Sequence, residues 1–142
     1  MAADSSTKRS KHIQLSNTRG ECQRLYDFLA EGLRQLPVTE EFRHDLKLVA
    51  EELLANIINH GYGNHSEAKI DVELATDEHR VHLTFVDSGT AFNPLHHNDA
   101  AQLNDFSEGG MGLGLVKSLT DEQSYRRDRN RNVLTVTKHY NH

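Results

Sequence analysis

The chain has a single cysteine, Cys22, in 142 residues. No intramolecular disulfide can form, and the thiol reads as a half-buried side chain on a helix. No run of 18 apolar residues occurs, and the opening residues lack the apolar stretch of a signal peptide. Neither a membrane span nor a cleaved leader is expected, and the chain reads as a soluble cytoplasmic protein. Positive charge is in short supply, with 16 Lys and Arg against 21 Asp and Glu. A formal net charge of -5 argues against direct capture of nucleic acid. The one basic stretch, Arg126-Arg127-Asp128-Arg129-Asn130-Arg131, reads as a solvated turn. A G-x-x-x-x-G-K-S/T phosphate loop is missing. So is a strict G-x-G-x-x-G, because Gly110-Met111-Gly112 is followed by Leu115 where the third glycine should fall. The histidines do not gather: His79 and His82 point to opposite faces of a strand, His96 and His97 adjoin in a loop, and His60 and His65 flank glycines. A zinc site is not expected.

Apolar residues make up 36% of the chain, enough for a modest core in one domain. Residues 1–10 are small, polar and charged and read as a disordered tail, leaving 11–142 as the domain. His12 to Leu15 alternates like an edge strand. Asn17 or Thr18 can cap a helix reaching about Leu36, with Leu25, Phe28, Leu29, Leu33 and Leu36 as its apolar stripe, and Pro37 breaks it. Thr39 caps the next helix, whose Phe42, Leu46, Val49, Leu53 and Ile57 recur at helical period until Gly61 and Gly63. Ala68 to Thr76 and His79 to Asp87 alternate on either side of a short turn and read as an antiparallel hairpin. A long aperiodic loop, Asn93 to Glu108, precedes a helix from Met111 to Leu119. Strands near Gln123 to Arg126 and Asn132 to His139 close the chain. This order suggests a two-layer α/β sandwich, with helices on one face of a mixed, mostly antiparallel sheet.

Three clusters carry the chemistry. Glu52 and Asn56 are one helical turn apart. At about 100° per residue, Asn56 lies about 60° and Glu52 about 100° from the centre of the apolar stripe. Both sit at its edge, where a carboxylate and an amide can face a pocket, whereas Glu51 points away. Asp87 shares the parity of Val81, Leu83 and Phe85, so it turns toward the covered face, where an unpartnered carboxylate would cost several kcal/mol. An adenine amino group could supply its donor, and Gly89 lets the chain turn close to a flat ring. An ordinary Asx turn also explains Asp-Ser-Gly. Gly109, Gly110, Gly112 and Gly114 open the third helix, where backbone N–H groups can approach anionic oxygens. Each glycine weakens a helix by about 1 kcal/mol relative to alanine, so four in six call for a reason.

Taken in order, Glu52-Leu-Leu-Ala-Asn56-Ile-Ile-Asn-His-Gly-Tyr62, Asp87-Ser-Gly-Thr-Ala-Phe-Asn-Pro94 and Gly109-Gly-Met-Gly-Leu-Gly-Leu115 resemble the N, G1 and G2 boxes of the GHKL (Bergerat-fold) ATPases. The match is closest to bacterial anti-sigma factors that are also serine/threonine kinases, and it covers about Ile13 to Tyr140. The resemblance implies ATP and Mg²⁺. It makes Asn56 the metal ligand, Glu52 the general base, Asp87 the acceptor for the adenine amino group and Gly89 the neighbour of the ring. Gly110, Met111, Gly112, Leu113 and Gly114 would line the phosphates, Asn93 to Glu108 would be the lid, and Asn132 would be a further adenine-side polar group, turned inward with Leu134 and Val136. It implies a homodimer that captures a sigma factor and phosphorylates a STAS-domain anti-anti-sigma factor, in a partner-switching control of transcription. One departure is Glu108, where some members carry an arginine for the terminal phosphate. The alternative reading is an ATP-binding module that sequesters its partner without phosphotransfer. A third, the catalytic domain of a sensor histidine kinase, is disfavoured because no helical hairpin with a phosphoacceptor histidine precedes it.

Overall fold

Alternation along two strands decides the sheet. In the computed structural model, which describes residues 9–60, 69–89 and 108–140, Lys69–Thr76 (β2) and Arg80–Asp87 (β3) each bury every second residue. They pair antiparallel, with Val72 opposite Phe85, Leu74 opposite Leu83 and Ile70 opposite Asp87. Arg9–Ser16 (β1) pairs with β2 at one edge. Arg131–His139 (β5) lies beside β3, and Glu122–Asp128 (β4) forms the other edge, giving the order β1-β2-β3-β5-β4. All four pairings are antiparallel, so among the described strands the sheet is not mixed. The chain reaches the far edge as β4 and then doubles back as β5 into the place beside β3, which needs no parallel crossover. The β4–β5 turn has only two residues, Arg129 and Asn130, both at positive φ (53° and 65°). That is the hand of turn that fits the twist of a tight hairpin.

Three helices among the described residues cover one face: Cys22–Leu33 (α1), Glu40–His60 (α2) and Glu108–Leu119 (α3). Leu25, Phe28, Leu29 and Leu33 of α1, Leu46, Val49, Leu53 and Ile57 of α2, and Val116 of α3 join Ile70, Val72, Leu83, Phe85, Leu134 and Val136 in one core. Each large side chain sealed there contributes about 1.5–3 kcal/mol. A glycine makes one contact possible. A Cβ on Gly32 would lie 2.2 Å from Leu74 Cδ2, so α1 rests directly on β2 there.

Local chemistry sets the boundaries, and some differ from the sequence expectation. Arg9 and Ser10 belong to β1 rather than to a tail; residues 1–8 lie outside the described residues. The first helix starts at Cys22, after a 3-10 turn over Arg19–Glu21, and not at an Asn17 or Thr18 cap. Glu21 organises this entry: its carboxylate accepts the Ser16 N–H at 2.7 Å and the Arg24 guanidinium at 3.0 Å. The Ser16 N–H is the main reason its carboxyl is held below the usual range. The helix ends at Leu33, and Leu36 packs on the core from the turn beyond. Thr39 caps α2 as expected, its Oγ1 accepting the Phe42 N–H at 3.0 Å. The third helix begins at Glu108, three residues before the expected Met111, so the glycine run lies inside its first turns. Most of the expected lid, 93–107, lies outside the described residues.

Near its start, α2 sets Phe42 edge-on to Tyr140 at 6.0 Å and Asp45 3.9 Å from Lys138 Nζ. This is the end of the sheet where β3 begins, since Tyr140 N–H bonds His79 O at 2.9 Å. Twenty-one residues of helix span about 30 Å, so Glu52 and Asn56 lie toward the opposite end, where β3 finishes at Asp87. The last turn of α3 is tied to the first end, by Lys138 Nζ donating to Leu119 O at 2.7 Å.

Candidate functional site

Strand parity brings Asp87 onto the covered face, where it is 5% exposed. Its Oδ1 accepts two hydrogen bonds, from Gly89 N–H at 2.9 Å and from Asn132 Nδ2 at 3.0 Å. The first bond is an Asx turn, so the ordinary structural explanation of Asp-Ser-Gly holds. It does not exhaust the carboxylate, because Oδ2 takes no hydrogen bond from any described residue. Asn132 stands directly opposite Asp87 in the β3–β5 register and is also 5% exposed. Its own Oδ1 accepts from Tyr125 Oη at 2.5 Å and from Arg127 Nη1 at 3.1 Å. Arg127 Nη1 also donates to Gly89 O at 2.8 Å.

On α2, Asn56 is 4% exposed and its Nδ2 has no hydrogen-bond partner among the described residues. A buried amide left this way costs on the order of 1–3 kcal/mol, and a bound oxyanion or ordered water would remove that cost. Glu52 is half-buried one turn earlier. Its neighbour Glu51 has another task. It lies by Tyr26 of α1, whose phenol is pushed up to about 12 by burial, reinforced by this carboxylate. On α3, Gly114 is exposed, and a Cβ built there would meet nothing within 4 Å. Packing does not require that glycine, in contrast to Gly32. Backbone helix is described at Gly110, Met111, Gly112 and Leu113; their surroundings lie outside the described features.

Sequence reasoning named Glu52, Asn56, Asp87, Gly89, Asn132 and the glycine run; hydrogen bonds and strand register join Asp87, Gly89 and Asn132 directly, and the surroundings of Gly109 to Leu113 lie outside the described residues. That reasoning missed Tyr125 and Arg127. The signal was available in the alternation Gln123, Tyr125, Arg127 on β4, which places them opposite Val136, Leu134 and Asn132. Arg127 was absorbed instead into the basic stretch read as a solvated turn.

A buried carboxylate with one oxygen committed and a buried amide with an unmet donor suit a ligand carrying both an amino group and oxyanions. Residues 15–138 match the family of histidine kinase-like ATPase domains. The chain belongs to that family. Similar proteins include the serine/threonine-protein kinase BtrW of Bordetella bronchiseptica, 35% identical over 100 residues, which cover 68% of this chain and 70% of that protein. The anti-sigma F factor of Bacillus subtilis is 25% identical over 99 residues, covering 68% of each. The fold is similar to the crystal structure of the RsbU and RsbW domains of Rv1364c from Mycobacterium tuberculosis, with a TM-score of 0.67 and 19% identity over 93% of this chain and 32% of that one. At that identity the likeness concerns the fold. A histidine kinase-like ATPase domain binds ATP, and the donor and acceptor set at the Asp87 end fits a nucleotide. No helix among the described residues is long and apolar enough to cross a membrane.

Proposed function

We propose that this protein is an ATP-dependent serine/threonine protein kinase and anti-sigma factor. It would phosphorylate a STAS-domain anti-anti-sigma protein and hold a sigma factor while that antagonist is phosphorylated, acting in the cytoplasm as a homodimer. The observation that carries the reading is the half-committed buried carboxylate of Asp87, supported by the buried Asn56 amide, whose nitrogen has no partner among the described residues. Kinases and an anti-sigma factor among its relatives supply the class of reaction and partner.

Each residue then has a task. Asp87 Oδ2 accepts a hydrogen bond from the adenine amino group, and Gly89 lets the backbone lie along the ring. Asn132 holds the other carboxylate oxygen. Asn56 ligates Mg²⁺ through its amide oxygen. Among the described residues no three His, Cys, Asp or Glu side chains gather as metal ligands. Such a cation would be shared with phosphate oxygens and water, as Mg²⁺ commonly is. Gly110, Met111, Gly112, Leu113 and Gly114 offer backbone N–H groups at a helix start, where the dipole favours anions. Glu52 accepts the proton of the acceptor hydroxyl from a distance of about 3 Å. Bound Mg-ATP supplies the transferable phosphoryl group, and the protein contributes mainly positioning and charge neutralisation.

The test is incubation with γ-labelled ATP, Mg²⁺ and a cognate STAS protein. Label on a serine or threonine of that protein is expected. ATP binding with no transfer over hours would leave a sequestering module in place of a kinase.

A further inference from the structure

The Asp87 carboxylate is useful to a purine only if it is held in one orientation, and the groups that hold it lie on the edge hairpin. An asparagine amide can rotate half a turn and exchange its oxygen for its nitrogen. With the oxygen toward Asp87, Asn132 would oppose the carboxylate; with the nitrogen, it donates at 3.0 Å. Arginine has donors and no acceptor. Arg127 Nη1, 3.1 Å from Asn132 Oδ1, therefore fixes the oxygen on the hairpin side, and Tyr125 Oη adds a second donor at 2.5 Å. The same Nη1 carries two protons and donates the other to Gly89 O at 2.8 Å, holding the residue whose N–H completes the Asx turn on Asp87. Both protein donors to Asp87 Oδ1 are thus braced by one guanidinium.

We infer that Arg127, assisted by Tyr125, is a positioning residue for purine recognition: it orients Asn132 and Gly89 so that Asp87 presents Oδ2 to a 6-amino group. The inference rests on the nucleotide-site reading above and adds to it the residues that set base selectivity. Arg127 acts on the base through Asn132 and Gly89, so its effect should fall mainly on recognition of the 6-amino group.

The experiment measures calorimetric affinities for Mg-ATP and for purine riboside triphosphate, which lacks that amino group. They are taken on the wild-type protein, Arg127→Met, Arg127→Lys and Tyr125→Phe, with thermal melts run in parallel. Arg127→Met is expected to weaken ATP about tenfold, the loss of about one well-placed hydrogen bond, and to leave the desamino nucleotide within about twofold of wild type. Arg127→Lys should recover part of the ATP affinity, and Tyr125→Phe should show the same selectivity at smaller size. Equal losses for both nucleotides, or unchanged ATP affinity in folded Arg127→Met, would overturn the inference. If Arg127→Met does not fold, Tyr125→Phe and Arg127→Lys decide the question by the same ratio. A wild-type protein that binds neither nucleotide would overturn the site reading itself, which is a different result from a wild type that binds both and a variant that loses both equally.

Discussion

Asp77 sits in the turn that opens β3, and Asp87 closes the same strand. Asp77 has both oxygens in use. Its Oδ1 accepts the N–H groups of His79 and Arg80 at 2.8 and 2.9 Å, and its Oδ2 meets the Arg80 guanidinium at 3.3 Å. Burial pushes its carboxyl up, but the two backbone donors and the nearby charges outweigh this and hold it below the usual range. Around it the Tyr140 hydroxyl donates to the Asp77 carbonyl, and Gly32 is required by packing. Asp87 is more deeply buried and has fewer bonds: one oxygen with two donors, the other with none from the described residues. The covered layer also holds an amide with an unpaired nitrogen and a helix opened by glycines, of which Gly114 faces open space. One end of the hairpin is closed by its own hydrogen bonds, and the other keeps polar capacity in reserve. Reserve of that kind costs stability unless a ligand uses it.

Substitutions can break this contrast or sharpen it. The largest effect is expected at the open end: Glu52→Gln should lower phosphotransfer about a thousandfold, within the range for losing a general base, with ATP affinity unchanged by calorimetry. If transfer persists, Glu52 is not the base. Exchanging the aspartates comes next. Asp87→Asn should weaken ATP on the order of a hundredfold by removing a charged acceptor, with little change in melting temperature. Asp77→Asn should leave ATP affinity alone and cost about 1–2 kcal/mol, a drop of several degrees in the melt. The glycines give a smaller pair. Gly32→Ala should destabilise, because overpacking of about 1–3 kcal/mol against Leu74 exceeds the gain in helix propensity. Gly114→Ala should leave stability equal or raise it by up to about 1 kcal/mol, while weakening ATP.

The smallest effect is a pH dependence carried by one carboxylate at each end of the sheet, Glu21 beside Ser16 and Asp77 in the β2–β3 turn. Glu21 and Asp77 have lowered carboxyl pKa values in the folded state. The stabilisation they provide is therefore complete above the unfolded values, near 4, and is lost as pH falls through the folded ones. Melts of Asp77→Asn taken from pH 7 to pH 3 should decline less than those of the wild type. Tyr26, raised to about 12 by burial and Glu51, has the opposite sign, its contribution fading as pH rises from about 10.

Much of this was legible in the residues. The alternation Ile70, Val72, Leu74 and Val81, Leu83, Phe85 specified the β2–β3 hairpin, and the same parity turned Asp87 and Asn132 inward. Thr39 and the stripe from Phe42 to Ile57 gave α2. What was not legible depended on tertiary partners. Glu21 takes over the entry to α1 because the Ser16 N–H is there to be bound, a contact no propensity at Asn17 or Thr18 reveals. Arg9 and Ser10 look like tail by composition but find a ladder on β2. Arg127 looks like one cation among several, and only the register opposite Asn132 separates it from Arg126, which pairs with Asp128 on the outer side.

The turn at Arg129 and Asn130 sets that register, and it behaves like a reading frame. A strand shows one face at odd positions and the other at even ones. Inserting or deleting one residue in the turn, with β5 held in place beside β3, would exchange Tyr125 and Arg127 for Ser124 and Arg126 on the covered face. The strand could still pair, and the core could still close. The brace on Asn132 would be gone, so a change of one residue in loop length could erase base selectivity while leaving the fold intact.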